Sequence, residues 1–261
     1  MAKKNMIHDI VIDRDKCIGC GACVRDCVSQ VLTLEKGKAV YLGPECIVCG
    51  HCEAICPQGA VMLTGFEDRS VEYAEQTRLD PELLLDAIRT RRSIRVFEDK
   101  SVPDILTDRI IEAGRLAPSA CNDQDTGFVI LGSKQDELED MAAVYLKKLA
   151  RTAGLFVPIL RNKNAIGDNF FFKKAPLAIA VTGSKINASL AAENMAFMAE
   201  AQGLGVLFSG FFTVCANRCG AIRKVMGLGK KDKVVTTLVI GYPAVRYRRT
   251  ARREKAKVRK L

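Results

Sequence analysis

Eight of the eleven cysteines in this 261-residue chain fall between residues 17 and 56. They make two runs, Cys17-Cys20-Cys23-Cys27 and Cys46-Cys49-Cys52-Cys56, each spaced C-x2-C-x2-C-x3-C, and every member of the second lies 29 residues after its counterpart. Thiolates are soft ligands for iron or zinc. Three of them so close in sequence can wrap one face of a metal–sulfide core, with Gly19, Gly21 and Gly50 letting the backbone pass near it. Structural zinc is the competing reading, but zinc sites more often pair cysteines across a longer gap. Disulfides are not expected, because no apolar stretch of a secretory signal follows Met1-Ala2-Lys3-Lys4-Asn5. A second group of residues suits phosphate. Arg91-Arg92-Ser93-Ile94-Arg95 offers guanidinium forks beside a small hydroxyl, and an arginine-rich tail follows Gly241-Tyr242-Pro243.

The cysteine runs resemble those of bacterial two-cluster ferredoxins over residues 8–66, with Pro57 after the last cysteine of the second run and Val28 at that place in the first. The resemblance implies two 4Fe–4S clusters, in which the fourth cysteine of each run ligates the other cluster. Cys17, Cys20, Cys23 and Cys56 then hold one cluster, and Cys46, Cys49, Cys52 and Cys27 hold the second. From Arg91 onward four segments are similar to the FMN-dependent nitroreductase family: Arg91–Phe97, Ala117–Gln124, Gly203–Gly210 and Gly241 into the tail. That resemblance implies FMN as cofactor. It assigns Arg91, Arg92 and Ser93 to the phosphate, Arg95 to the pyrimidine edge, and Pro118, Ser119, Asn122 and Gln124 to the ring wall. Ser209 and Gly210 fall opposite N5, and Arg248 with Arg249 completes the phosphate grip. It also implies a homodimer with FMN at the subunit interface. Where the family often continues with proline and an aromatic, this chain has Asp125-Thr126.

These residues need elements to position them. Pro81 to Arg91 reads as an amphipathic helix with Asp80 as N-cap and Pro81 at its first position. Pro103 to Leu116 reads as a second helix, and Phe128–Leu131, Leu177–Val181 and Thr236–Ile240 as strands. Asn187 is expected to cap a long helix running through Gln202 and closed by Gly203, with Met195, Phe197 and Met198 in the core. The fold class is α+β: a dicluster ferredoxin-like domain over residues 1–66, a linker over 67–81, and a nitroreductase-like α+β sandwich with a basic tail over 82–261. Residues 161–175, with Phe170-Phe171-Phe172, are expected either to cap the pocket or to form a core turn. Cys121 is read as a small wall residue or a reactive thiol, and Cys215 and Cys219 as possible neighbours on one helix face.

Charge sharpens the partners. The formal net charge is +10, but residues 1–66 balance to zero and residues 246–261 supply +8. A basic tail without an aromatic stacking set or a nucleic-acid fold motif argues against nucleic acid. There is no apolar run of about 18 residues, so no membrane span is expected. The sequence therefore predicts a cytoplasmic FMN- and iron–sulfur-dependent oxidoreductase. An external donor such as ferredoxin feeds the clusters, and a small-molecule acceptor such as a nitroaromatic, quinone or activated alkene is reduced. The alternatives are an NAD(P)H-oxidising flavoprotein that passes electrons to the clusters, and a non-catalytic electron-transfer or redox-sensing module. No catalytic side chain is assigned.

Overall fold

In a computed structural model, residues 8–72, 78–153 and 166–261 are described. The chain forms two units, one of residues 1–78 together with Ala120–Asp123, the other of residues 79–119 and 124–261.

In the first unit, β1 (Ile10–Ile12) pairs antiparallel with β4 (Val61–Leu63), and β2 (Leu32–Glu35) forms a hairpin with β3 (Lys38–Tyr41). Between the ribbons sit two short helices, α1 (Ala22–Asp26) and α2 (His51–Ala54), each entered through a left-handed glycine, Gly21 and Gly50. The 29-residue repeat is thus a structural repeat. Shifting α1 by 29 gives 51–55, and shifting β2 gives 61–64. Ile10, Leu32, Ala39, Ala60 and Val61 bury against Cys17, Cys23 and Cys52.

The second unit is a helix–sheet–helix sandwich. Its antiparallel sheet has the order β5 (Gly127–Ile130), β6 (Leu177–Thr182), β8 (Val234–Gly241), β7 (Gly205–Phe208). Strand periodicity of two decides what each face meets. Ile179, Val181, Leu238 and Ile240 pack with Ile110 of α4 (Asp104–Arg115) and with the alanine-rich α6 (Lys185–Ala201). Ala178, Ala180 and Val239 meet α5 (Gln135–Ala153), α7 (Gly210–Arg218) and α8 (Gly220–Val225) on the opposite side. The helix α3 (Pro81–Thr90) begins as its sequence dictates, the Asp80 carboxylate accepting from Leu83 N at 2.9 Å, yet it buries no residue.

Two expectations are corrected or decided. Asn187 does not cap α6; Ser184 holds the N-cap position, and Asn187 lies inside the first turn, almost fully buried. The cap comes from a distant residue. Asp125 accepts from Ser184 N through Oδ2 and from Asn187 Nδ2 through Oδ1, both at 2.7 Å. Phe171 and Phe172 are core, and their amides are held at 3.0 Å by the buried Glu139 carboxylate, so the turn is a core turn. Residues 161–165 of the expected lid lie outside the described residues. The elements α5, β7, α7 and α8 were not anticipated.

Asp125→Ala removes a cap and the hydrogen bond from the Asn187 amide to Oδ1. A cap is worth about 1 kcal/mol and a buried side-chain hydrogen bond about as much again. The sandwich should therefore lose about 2 kcal/mol in urea denaturation, whereas Asp125→Asn, which keeps an acceptor, should lose less. Burial alone would raise the Asp125 pKa, but the Asn187 amide and Ser184 N–H outweigh it and lower it. The stabilisation is therefore present above the ordinary aspartate range and is lost as pH falls through the depressed value.

Candidate functional site

Two cavities in the first unit divide the eight cysteines. Cys17, Cys20, Cys23 and Cys56 line one of about 340 Å³, and Cys27, Cys46, Cys49 and Cys52 line the other of about 350 Å³. The fourth cysteine of each run thus faces the other run's three. Among the described residues no three His, Cys, Asp or Glu side chains converge on a single ion. A mononuclear zinc site draws its sulfurs to about 2.3 Å from one centre; thiols spread around a cavity suit a multi-atom core instead. At the first cavity the left-handed Gly19 is pressed against the hairpin tip, where an added Cβ would fall 2.0 Å from the Gly37 carbonyl. Backbone amides reach the sulfurs: Ala39 N donates to Cys17 at 3.4 Å, Val48 N to Cys46 at 3.3 Å and Ala60 N to Cys56 at 3.2 Å.

The thiols are not electrostatically equal. The Ala39 N–H, more than burial opposes it, lowers the Cys17 pKa, helped by the Gly19 amide and the Lys38 and Arg14 charges. Burial raises Cys23 and Cys46, and pushes Cys52 up to about 11. His51 lines the second cavity, and its Nδ1 hydrogen-bonds the exposed Asp26 carboxylate at 3.0 Å.

In the second unit the sheet edge positions the arginines. Ile94 N donates to Val206 O, Glu98 N to Tyr242 O and Ala244 N to Val96 O, stitching residues 93–98 alongside β7 and the end of β8. Gly205 is required here: a Cβ on it would lie 2.4 Å from Ile94 Cγ1. The result is a polar open cleft of about 620 Å³ lined by Arg91, Arg92, Ser93, Arg95, Tyr247, Ala251 and Arg253, with no acidic residue in its wall. Arg92 lies over the Tyr247 ring at 5.2 Å, and Arg91 over Phe208 at 5.7 Å. Behind the cleft, Arg91 Nε meets Glu193 Oε1 at 3.5 Å. Burial pushes Glu200, one turn pair further along α6, up to about 7, although Arg91 lowers it.

The tail contribution differs from expectation. Arg248 and Arg249 are exposed and outside the cleft lining, whereas the chain returns to it at Ala251 and Arg253. Pro118, Ser119 and Gln124 also lie outside that lining; Ser119 Oγ accepts from Gln124 N at 3.0 Å. Asn122 belongs to the first unit, where its amide donates to Val48 O. Cys121, Asn122 and Gln124 all have left-handed φ, between 46° and 52°. Ser209 is buried at the N-cap of α7, its N–H donating to Thr237 O at 2.8 Å. A Cβ on the exposed Gly210 would meet nothing within 4 Å, so the fold itself has no need of glycine there. Cys215 is fully buried, with its thiol pushed up to about 12, and Cys219 ends the helix. Sequence reasoning assigned no role to Tyr247, Arg253, Glu193 or Glu200; Tyr247 and Arg253 stand within the basic tail it singled out.

The nitroreductase family model matches residues 88–242, more than half of the chain. The chain belongs to the nitroreductase family. A 4Fe-4S dicluster domain matches residues 9–57, so a dicluster ferredoxin domain precedes the nitroreductase domain. A Methanothermobacter thermautotrophicus protein provisionally named an NADH dehydrogenase/NAD(P)H nitroreductase is 28% identical over 171 residues, 62% of this chain and 78% of that protein. An uncharacterized ferredoxin of Methanocaldococcus jannaschii is 42% identical over 55 residues, 20% of this chain and 89% of that one. The nitroreductase domain shares its fold with the crystal structure of a Bacteroides fragilis nitroreductase with bound FMN, at TM-score 0.56 and 20% identity, covering 68% of this chain and 98% of that one. The protein is accordingly an oxidoreductase. Among the described residues no helix is long and apolar enough to cross a membrane.

Proposed function

We propose that this chain is a cytoplasmic FMN-dependent oxidoreductase that receives low-potential electrons through two 4Fe–4S clusters and reduces a small organic acceptor. The carrying observation is one chain with two four-thiol cavities and, in its nitroreductase domain, an acid-free cleft of four arginines. The two cavities each offer four thiolates, the ligand set of a cubane cluster. The cleft fits the dianionic phosphate of FMN, and the open space over Gly210 leaves room for a flat ring. The domain arrangement is 1–66 for the clusters, 67–81 as linker and 82–261 for the flavin.

Bound FMN supplies the conversion between one-electron carriers and a two-electron organic acceptor. The protein's residues bind and orient it. Arg91, Arg92, Ser93 and Arg253 hold the phosphate, and Arg95 from the same cleft is assigned to the pyrimidine edge. Ser209 and Gly210 face N5, with Ser209 fixed by its bond to Thr237. Pro118, Ser119 and Gln124 are assigned to the ring wall, and in a homodimer these residues need not all come from one chain. Purification without oxygen tests the whole reading. About eight irons and one FMN per chain support it; zinc without flavin sinks it. The name of the Methanothermobacter relative favours a second route, with NAD(P)H as donor. Rapid bleaching of the flavin bands by NAD(P)H would select that route, and bleaching by reduced ferredoxin alone would select the clusters as inlet.

Glu200 makes flavin affinity pH-dependent. With its pKa near 7, it is ionised above neutrality and then competes with the phosphate for Arg91. The FMN dissociation constant should rise about threefold from pH 6.5 to pH 8, the size of a partly exposed charge pair, and Glu200→Gln should flatten that rise. A raised folded-state pKa also means that the protonated acid favours folding below the ordinary glutamate range, and that this contribution disappears as pH rises through about 7.

A further inference from the structure

We propose that the two four-thiol cavities hold clusters of unequal potential, the one bounded by Cys17, Cys20, Cys23 and Cys56 being the more readily reduced, because the repeat sets a lysine beside it where the other half carries an aspartate. The inference rests on the reading that both cavities hold 4Fe–4S clusters. The 29-residue offset that maps Cys17 onto Cys46 maps Lys38 onto Asp9 and Ala39 onto Ile10. These equivalent positions do opposite things. Lys38 Nζ donates to the Cys17 carbonyl at 2.5 Å, and Ala39 N donates to the Cys17 sulfur. In the other half Ile10 N donates instead to the Asp9 carboxylate at 2.8 Å. The amide that corresponds to a sulfur donor is thus occupied by an anion. Asp9 directly precedes Ile10, which lines the second cavity.

The neighbouring charges lean the same way. Arg14 acts on Cys17, and Arg25 Nη1 donates to the Cys20 carbonyl at 3.0 Å. Their repeat counterparts are the uncharged Gly43 and Ala54. Asp26, one residue from Cys27 of the second cavity, has Ile55 as its counterpart, one residue from Cys56 of the first. Against these stands Asp13 beside the first cavity, and Lys16 pairs with it at 3.6 Å. Reduction adds one electron and no bond changes, so the added negative charge is favoured beside cations and N–H donors and disfavoured beside carboxylates. Lys38 is half-buried, and its charge is poorly screened; Asp9 is exposed, so its effect is the smaller. An electron arriving from an external low-potential donor therefore rests at the first cluster and reaches the second by an uphill step.

The test is a dithionite redox titration of the anaerobically purified full chain, followed by electron paramagnetic resonance, with iron and sulfide counted on the same samples. Two one-electron steps are expected, separated by at least about tenfold in reduced-to-oxidised ratio, ~59 mV for one electron. Lys38→Gln should lower the upper step by about that amount and leave the lower one in place, while Lys38→Arg restores it. Asp9→Asn should raise only the lower step, by less. Coincident steps in a protein with about eight irons overturn the proposal, as does a Lys38→Gln variant with full iron whose upper step is unmoved. A wild-type protein lacking that iron overturns the cluster reading itself, a result the titration cannot mimic.

Discussion

Replacing Cys56 with alanine should lower the iron content from about eight to about four per chain, and the cluster lost should be that of Cys17, Cys20 and Cys23. Cys56 is four residues from Cys52 but lines the cavity of the first run, and Cys27 conversely lines that of the second. Double variants separate this from ligation by neighbours in sequence. Cys56→Ala with Cys23→Ala removes two thiols from one cavity and should still leave about four irons. Cys56→Ala with Cys46→Ala damages both and should leave almost none. If each run bound its own cluster, the two double variants would exchange results. Crossed ligation also ties the halves of the domain together, so loss of either cluster should make the first unit melt at lower temperature, read by circular dichroism.

The cysteine half was legible because metal chemistry fixes both residue type and spacing, and nothing in packing competes for that pattern. What the spacing could not show is charge asymmetry. Lys38 and Asp9 look unremarkable until the repeat is laid over the two ribbons. In the second unit, strands with β-branched runs such as Leu177–Thr182 and Val234–Gly241 were visible, because burial on both faces demands continuous apolar sequence. The helix α5 escaped notice because its charged face, Gln135 to Lys148, dilutes the apolar stripe of Leu138, Ala142 and Leu146. Asn187 was misplaced for a related reason. Asn is a good cap by propensity, but the residue that satisfies this helix N-terminus is Asp125, about sixty positions away, and no local pattern encodes such a partner. The arginine run is legible as a candidate phosphate site because guanidinium forks beside a small hydroxyl suit that anion. Which tail arginine joins it depends on where an irregular chain turns back, and local sequence carries no signal for that.

Arg92→Ala should weaken FMN binding about 10- to 100-fold, and Arg92→Glu should abolish it at micromolar protein. A hydrogen bond to a charged group is worth about 1.5–3 kcal/mol, and of the four guanidiniums in the cleft three are assigned to the phosphate, with no carboxylate in the wall. Arg92 is the best oriented of them, half-buried with its guanidinium over Tyr247. A planar fork fixed before binding loses little side-chain entropy when the phosphate arrives. Tyr247→Ala should therefore weaken binding too, by less, because it releases the orientation and keeps the charge. Arg253→Ala should resemble Arg92→Ala in direction, whereas Arg248→Ala and Arg249→Ala, outside the lining, should change the dissociation constant by no more than about threefold, as expected of exposed charges. Fluorescence quenching of FMN on titration with the apoprotein measures all six. Equal losses at Arg248 and Arg253 would mean that the tail acts as a diffuse positive field. A loss confined to Arg92 and Arg253 would mean that the phosphate is held by the cleft.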